Sequence, residues 1–234
     1  MSNTSPKYKN KKIQIAVIVG LALLLVVSFI ISQTSKKPID PSIIAAVEVV
    51  EPSAHIKGNP EAVLTLVEYS DFQCPACKAA GPEIIKLVEQ FDGLFKLEFR
   101  HFPLRSIHPN AQLAAQASEA AGMQGKFWEM HDQLFENQEL WSKSFNPKRY
   151  FSDYAETIGI NVDRFEFDLE SDNVKQIVNA QFDEATALGL PGTPAFTFNG
   201  EQVDVNTFIN EQLVPLIPAE DLVLETTDEV AVTE

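Results

Sequence analysis

Two cysteines are the whole complement of this 234-residue chain, and they stand together as Cys74-Pro75-Ala76-Cys77. A thiol pair at this spacing can cycle between dithiol and disulfide, supply half of a tetrahedral zinc site, or close a small inert bridge. Zinc asks for about four nitrogen or sulfur ligands. The sequence has no second cysteine pair, His101 and His108 are too far apart for the usual short His–His spacing, and His55 and His131 stand alone. A bridge over so small a loop restricts the unfolded chain little. The redox dithiol is the favoured reading, with the zinc site and the inert bridge as its alternatives.

The flanking elements bear on reactivity. Val63, Leu64, Leu66 and Val67 make a short apolar run of strand length, while Ala79, Ala80, Ile84, Ile85, Leu87 and Val88 recur at helical spacing. The cysteines thus fall where a strand hands over to a helix, the context in which a CxxC reads as a redox motif. A helix's first turn offers unpaired N–H groups and the positive end of the backbone dipole, which favour a thiolate over a thiol. Cys74 is the expected activated sulfur, more acidic than a free thiol at about 8.5. Cys77 follows one turn on along the same face. Pro75 suits a first helical turn, and Pro82 predicts a kink further along.

The formal net charge is −15, and six lysines fall in the first 37 residues without a single acid. The rest carries twelve basic against thirty-three acidic groups, a balance that argues against binding nucleic acid through its phosphates. With 45% hydrophobic residues and sixteen phenylalanines, the remainder is long enough for one buried core. A secreted domain relying on disulfides for stability would show several cysteine pairs at other spacings.

Residues 1–12 are polar and basic. Ile13 to Ile31 is apolar except for Gln14 and Ser28, and nineteen helical residues span roughly 28 Å, close to the hydrocarbon thickness of a bilayer. The run exceeds the core of a secretory signal and lacks an A-x-A pattern after it. An uncleaved transmembrane anchor over 13–31 is therefore expected. Lys7, Lys9, Lys11 and Lys12 before it, against Lys36 and Lys37 after it, put the N-terminus in the cytoplasm and the bulk of the chain outside. Residues 32–54 read as a linker containing Pro38, Pro41 and Pro52, 55–217 as one domain, and 218–234, with six acids and no base, as a disordered tail.

Within the domain, His55 to Gly58 suggests an edge strand and Gly58-Asn59-Pro60 a turn. Leu94 to Phe102 would be a second strand parallel to Val63–Tyr69, completing a βαβ unit. About residues 105–188 read as a mainly helical insertion. Ala195–Phe198 and Gln202–Val205 form a hairpin around Asn199-Gly200, and Asn206–Leu213 a closing helix. The fold class is α/β.

This order of elements resembles the thioredoxin fold. The wording resembles the DsbA-like family of extracytoplasmic thiol-disulfide oxidoreductases, particularly the anchored BdbD type, in Gly58-Asn59-Pro60-Glu61-Ala62 and Glu68-Tyr69-Ser70-Asp71-Phe72-Gln73-Cys74-Pro75-Ala76-Cys77. His108-Pro109-Asn110-Ala111 to Phe127-Trp128, and Gly192-Thr193-Pro194-Ala195-Phe196, extend the likeness. It implies that Cys74 is the nucleophile, Cys77 the resolving cysteine and Pro194 a cis proline beside them, with Thr193, Pro75 and Ala76 facing substrate and no cofactor or metal. Glu68 matches the buried acid beneath such dithiols. A carboxyl there would have a raised pKa and exchange a proton with Cys77, whereas a solvated edge-strand glutamate would do neither.

Strongly oxidising members often carry histidine where this chain has Ala76. The resemblance implies an oxidase that introduces disulfides into reduced, unfolded exported polypeptides and is reoxidised by a membrane quinone-coupled partner. A reductase or isomerase on the same fold, or a tethered non-catalytic dithiol or metal-binding module, are the rivals. His101 and His108 could approach the site, although surface or helix-start roles are simpler. Phe72, Phe127, Trp128 and Trp141 would line a polypeptide groove or, more simply, the core.

Overall fold

A computed structural model of the chain describes residues 55–91 and 93–217. Their framework is a five-stranded sheet built from β1 (His55–Lys57), β2 (Leu64–Ser70), β3 (Phe95–His101), β4 (Ala195–Phe198) and β5 (Glu201–Val203), in the order β1-β3-β2-β4-β5. Between β2 and β3 runs α1 (Pro75–Gln90), and these two strands pair in parallel from Leu64↔Phe95 to Ser70↔His101. Every other pairing is antiparallel. The expected βαβ unit is therefore present, and β2, which leads into the cysteines, lies at the centre of the sheet.

Alternation along β2 assigns its faces. Leu66 packs in one cluster with Ile84 and Val88 of α1 and with Phe95, Leu97 and Phe196 of the sheet. Tyr69 belongs to another cluster with Phe102, Ala185 and Ala195. Leu66, Glu68 and Ser70 thus share the α1 face. Gly58, at the turn after β1, has φ +94°, and a Cβ there would meet Val88 Cγ1 at 2.5 Å. The Gly58-Asn59-Pro60 turn needs its glycine for both reasons.

The helical insertion comprises α2 (Ala111–Gly122), α3 (Phe127–Glu136), α4 (Gln138–Trp141), α5 (Pro147–Thr157), α6 (Val162–Leu169) and α7 (Asp172–Ala187). Asn161 and Ser171 cap α6 and α7, accepting from the backbone N–H of Arg164 and Val174. Six alanines of α2 are at most 2% exposed, which lets the helix lie deep among its neighbours. Phe72, Phe127 and Trp141 are core residues rather than the lining of a groove, and Trp128 is half-buried against them.

Pro82 lies inside α1 on its exposed side. Two local details differ from the expectations. The turn residues Asn199 and Gly200, at φ 53° and 81°, bring Glu201 directly opposite Phe198, so the return strand begins one residue early. It also ends early, because Asp204 caps α8 (Val205–Phe208), accepting from Thr207 N. That closing helix widens to a π turn at Ile209–Leu213 and tightens to a 3₁₀ turn at Val214–Leu216, where Pro215 lacks a donor. Among the described residues no helix is long and apolar enough to cross a membrane. The expected anchor at 13–31, the linker over 32–54 and the tail at 218–234 lie outside the described residues.

Candidate active site

Cys74 is the N-cap of α1, with an extended backbone, and Pro75 is the first helical residue. The preceding loop is closed by a turn in which Cys74 N donates to Asp71 O at 3.0 Å. Both sulfurs are in the dithiol form, with Cys77 fully enclosed and Cys74 7% exposed beside the exposed Pro75 and Ala76. The Thr193–Pro194 peptide is cis. Across the site, Cys74 Sγ lies 3.4 Å from the Thr193 carbonyl, to which it donates only while protonated.

The two sulfurs divide the chemistry unequally. Cys74 is pulled down to about 5, chiefly by a hydrogen bond donated from the Cys77 thiol. Burial opposes this, while the Thr193 hydroxyl and the N–H groups of Cys77 and Ala76 assist. The expected helix-start donors are therefore real but secondary. Cys77 is pushed far above the ordinary thiol range by the same hydrogen bond and by burial. One sulfur is an anion at neutral pH and its companion holds a proton, the arrangement an asymmetric exchange needs.

Glu68 is 2% exposed and has Phe99 and Phe196 as its cross-strand neighbours. Burial raises its carboxyl to about 7, and the nearby Ser70 hydroxyl partly offsets this. A central strand with aromatic neighbours excludes the solvated edge-strand reading.

Several polar residues hold the loop in place. The Asp71 carboxylate accepts from Gln73 N at 2.7 Å, Leu104 N at 2.8 Å and His108 Nδ1 at 2.7 Å. Gln138 Nε2, on α4, donates to the carbonyls of Phe72 at 2.8 Å and Cys74 at 3.0 Å. Gln73 accepts from Asn110 N at 2.8 Å and donates to Ser142 O at 2.9 Å. Asn110 Nδ2 in turn reaches the carbonyls of Trp141, Ser142 and Ser144. The helical insertion thereby clamps the loop that carries Cys74.

The histidines part company. His108 reaches the site through Asp71, whereas His101 is fully buried and shares Glu119 Oε1 with His55, each at 2.9 Å. Among the described residues no cluster of three or more histidine, cysteine or acidic side chains could hold a metal ion.

The sequence profile described as thioredoxin matches residues 51–214. The chain belongs to the thioredoxin family. Among solved structures, a thioredoxin-like oxidoreductase from Silicibacter pomeroyi DSS-3 is 29% identical, with a TM-score of 0.56 over 65% of this chain and 84% of that one. BdbD from Bacillus subtilis is 23% identical, with a TM-score of 0.59 over 69% of this chain and 93% of its own, a likeness of fold. A curated relative, the Na(+)/H(+) antiporter NhaA 1 of Salinispora arenicola, is 39% identical over 148 residues, which are 63% of this chain but 22% of the antiporter. The chain thus spans a minor part of the curated relatives it matches.

Seen against this family fold, the cysteines, Glu68, Thr193 and Pro194 converge on one end of β2. Asp71, Gln73, Asn110 and Gln138 were missed as site residues. Asp71 and Gln73 stand inside the Glu68–Cys77 motif, and Asn110 in His108-Pro109-Asn110-Ala111. Gln138 left no sequence signal, because its partners lie 64 and 66 positions away.

Proposed function

We propose that this chain is an extracytoplasmic thiol-disulfide oxidoreductase that introduces disulfides into exported proteins through Cys74 and Cys77. The observation that carries the reading is the placement of Cys74 as the N-cap of α1, 3.4 Å from the Thr193 carbonyl and one turn before the enclosed Cys77, an arrangement that favours its anion. The shared fold with BdbD, and the likeness to the Silicibacter oxidoreductase, support it. Residues 13–31 anchor the domain to the cell membrane, with the N-terminus cytoplasmic. There it meets reduced, unfolded clients and a quinone-coupled thiol oxidase.

In the oxidised enzyme a client thiolate attacks Cys74 Sγ. The Cys74–Cys77 bond breaks, its electron pair passes to Cys77, and Cys77 takes up a proton. A second client thiolate then attacks the client sulfur of the mixed disulfide and expels Cys74 as a thiolate. The client gains a disulfide and the enzyme is left as the dithiol seen here. Because Cys74 is stable as an anion, it is the better leaving group. Its oxygen and nitrogen donors need no rearrangement when the charge appears.

A second reading, reductase or isomerase on the same site, is favoured by Ala76, which places no charge between the sulfurs. The test is oxidative refolding of a reduced, unfolded protein with several disulfides. The full chain is expected to restore the client's activity and Cys74→Ser to abolish that turnover. Undiminished refolding by Cys74→Ser would overturn the proposal in favour of a non-catalytic dithiol.

A further inference from the structure

Cys77 must gain a proton when it leaves and lose one when it attacks, yet it is fully enclosed. The buried acid that could serve it, Glu68, sits on β2 between two phenylalanines and is 2% exposed. Neither group has an evident exchange with solvent, so the proton needs a carrier between them.

One side chain is placed for the task. Ser70 lies two residues beyond Glu68 on the same strand and therefore on the same face, the face on which Leu66 meets Ile84 and Val88 of α1. Since α1 starts just after β2 ends and runs back along it, its first turn with Cys77 lies over the Ser70 end. Ser70 is 1% exposed, and its Oγ makes no hydrogen bond at ordinary geometry with any described residue. Buried hydroxyls are normally partnered, and leaving one unpaired costs about 1–3 kcal/mol. Even so, this hydroxyl is close enough to favour the anion of Glu68 on one side and of Cys77 on the other. It is unpaired, but it lies within the influence of both proton-bearing groups.

We propose that the Ser70 hydroxyl carries the proton between the Glu68 carboxyl and the Cys77 sulfur during disulfide exchange. A hydroxyl donates and accepts at once. As the Cys74–Cys77 bond breaks and its electron pair passes to Cys77, that sulfur takes the Ser70 proton while Ser70 takes the Glu68 proton. The step leaves a Cys77 thiol, a neutral serine and a Glu68 carboxylate. When Cys77 attacks a mixed disulfide, the same transfers run backwards. No group other than the exchanging sulfurs changes oxidation state.

The other titratable groups around this path are Cys74 on α1 and His101, the partner of Ser70 across the sheet. The imidazole of His101 is buried and hydrogen-bonded to Glu119. The acidity of Glu68 itself answers only to burial and to Ser70.

The inference rests on the exchange chemistry proposed above but not on its direction, so the test uses a small dithiol rather than a client. Reduction of the Cys74–Cys77 disulfide by dithiothreitol is followed against pH for the full chain and for Ser70→Ala, Ser70→Thr, Glu68→Gln and the Ser70→Ala/Glu68→Gln double variant. After allowing for the ionisation of dithiothreitol, the wild type is expected to show an inflection near neutral pH. Ser70→Ala and Glu68→Gln should each lose it and slow by about 10²-fold, the lower end of what a positioned proton donor contributes. The double variant should be no slower than either single one. Ser70→Thr, which keeps the hydroxyl, should regain the inflection; if it misfolds, the single and double variants decide alone. A Ser70→Ala enzyme with the wild-type rate and profile, or single losses that multiply in the double variant, would overturn the relay while leaving the proposed function standing. A wild type inert towards dithiothreitol would overturn both.

Discussion

Cys74 and Glu68 are both buried, yet their acidities move in opposite senses for reasons that can be separated. Cys74 gains more from donated hydrogen bonds than it loses to burial, whereas Glu68 has only Ser70 to offset its loss of water. The thiolate absorbance of the reduced enzyme should therefore titrate with a midpoint about 5. In Cys77→Ala the midpoint should move well upwards, because the largest stabilising donor is gone; an unchanged midpoint would assign the effect to the helix start instead. Glu68 makes the opposite prediction for stability. Its folded pKa, raised to about 7, lies above its unfolded one, so its cost is absent below about pH 4.5, grows through the interval and is full above pH 7. Glu68→Gln should stabilise the fold by about 3 kcal/mol at pH 8 and by little at pH 4, as measured by urea unfolding at the two pH values. At this scale the sequence revealed the cysteines through their spacing and Glu68 through its place in a known motif. It could not reveal how the Cys77 proton adds to the helix-start N–H groups in steadying Cys74. That depends on side-chain directions which a four-residue motif leaves open.

Elements meet at the loop before α1, where strand, helix and insertion converge. Gln138 brings α4 onto two carbonyls of that loop. Gln138→Ala would leave both short of a donor, although Cys74 O still accepts from Lys78 N, and should cost about 1–3 kcal/mol in urea unfolding. A second junction joins β1, β3 and α2 through His55, His101 and Glu119. Burial works against the Glu119 charge, but the two imidazoles overcome it and hold the carboxyl at about 2. Its folded pKa is below its unfolded value, so the stability it lends is present above about pH 4.5 and lost as pH falls through about 2. Glu119→Ala, by breaking a buried pair, should cost about 3 kcal/mol at neutral pH, seen as a lower urea midpoint. Strands and helices were legible because apolar periodicity and the Gly, Pro and Asn punctuation are local signals. These two junctions were not, since their members lie up to 66 residues apart and carry no shared period. The return strand starts one residue before the expected Gln202, because the Asn199-Gly200 turn sets Glu201 directly opposite Phe198 and an exposed, charged Glu201 carries no strand signal of its own.

For the molecule as a whole, the parallel β2–α1–β3 unit, the antiparallel β4–β5 hairpin and the inserted helices were readable as a thioredoxin fold, because each flank of the CxxC announces its own period. The acidic balance of the chain argues against binding nucleic acid through its phosphates. Direction of exchange is a property of this scale, set by how much the whole site favours the dithiol over the disulfide. The most direct test is the equilibrium reduction potential of the Cys74–Cys77 couple, measured against glutathione. The proposed oxidase, with its Cys74 anion stabilised, should lie closer to the DsbA value of about −120 mV than to the thioredoxin value of about −270 mV. A couple at or below about −270 mV would contradict it and leave the same fold working as a reductase.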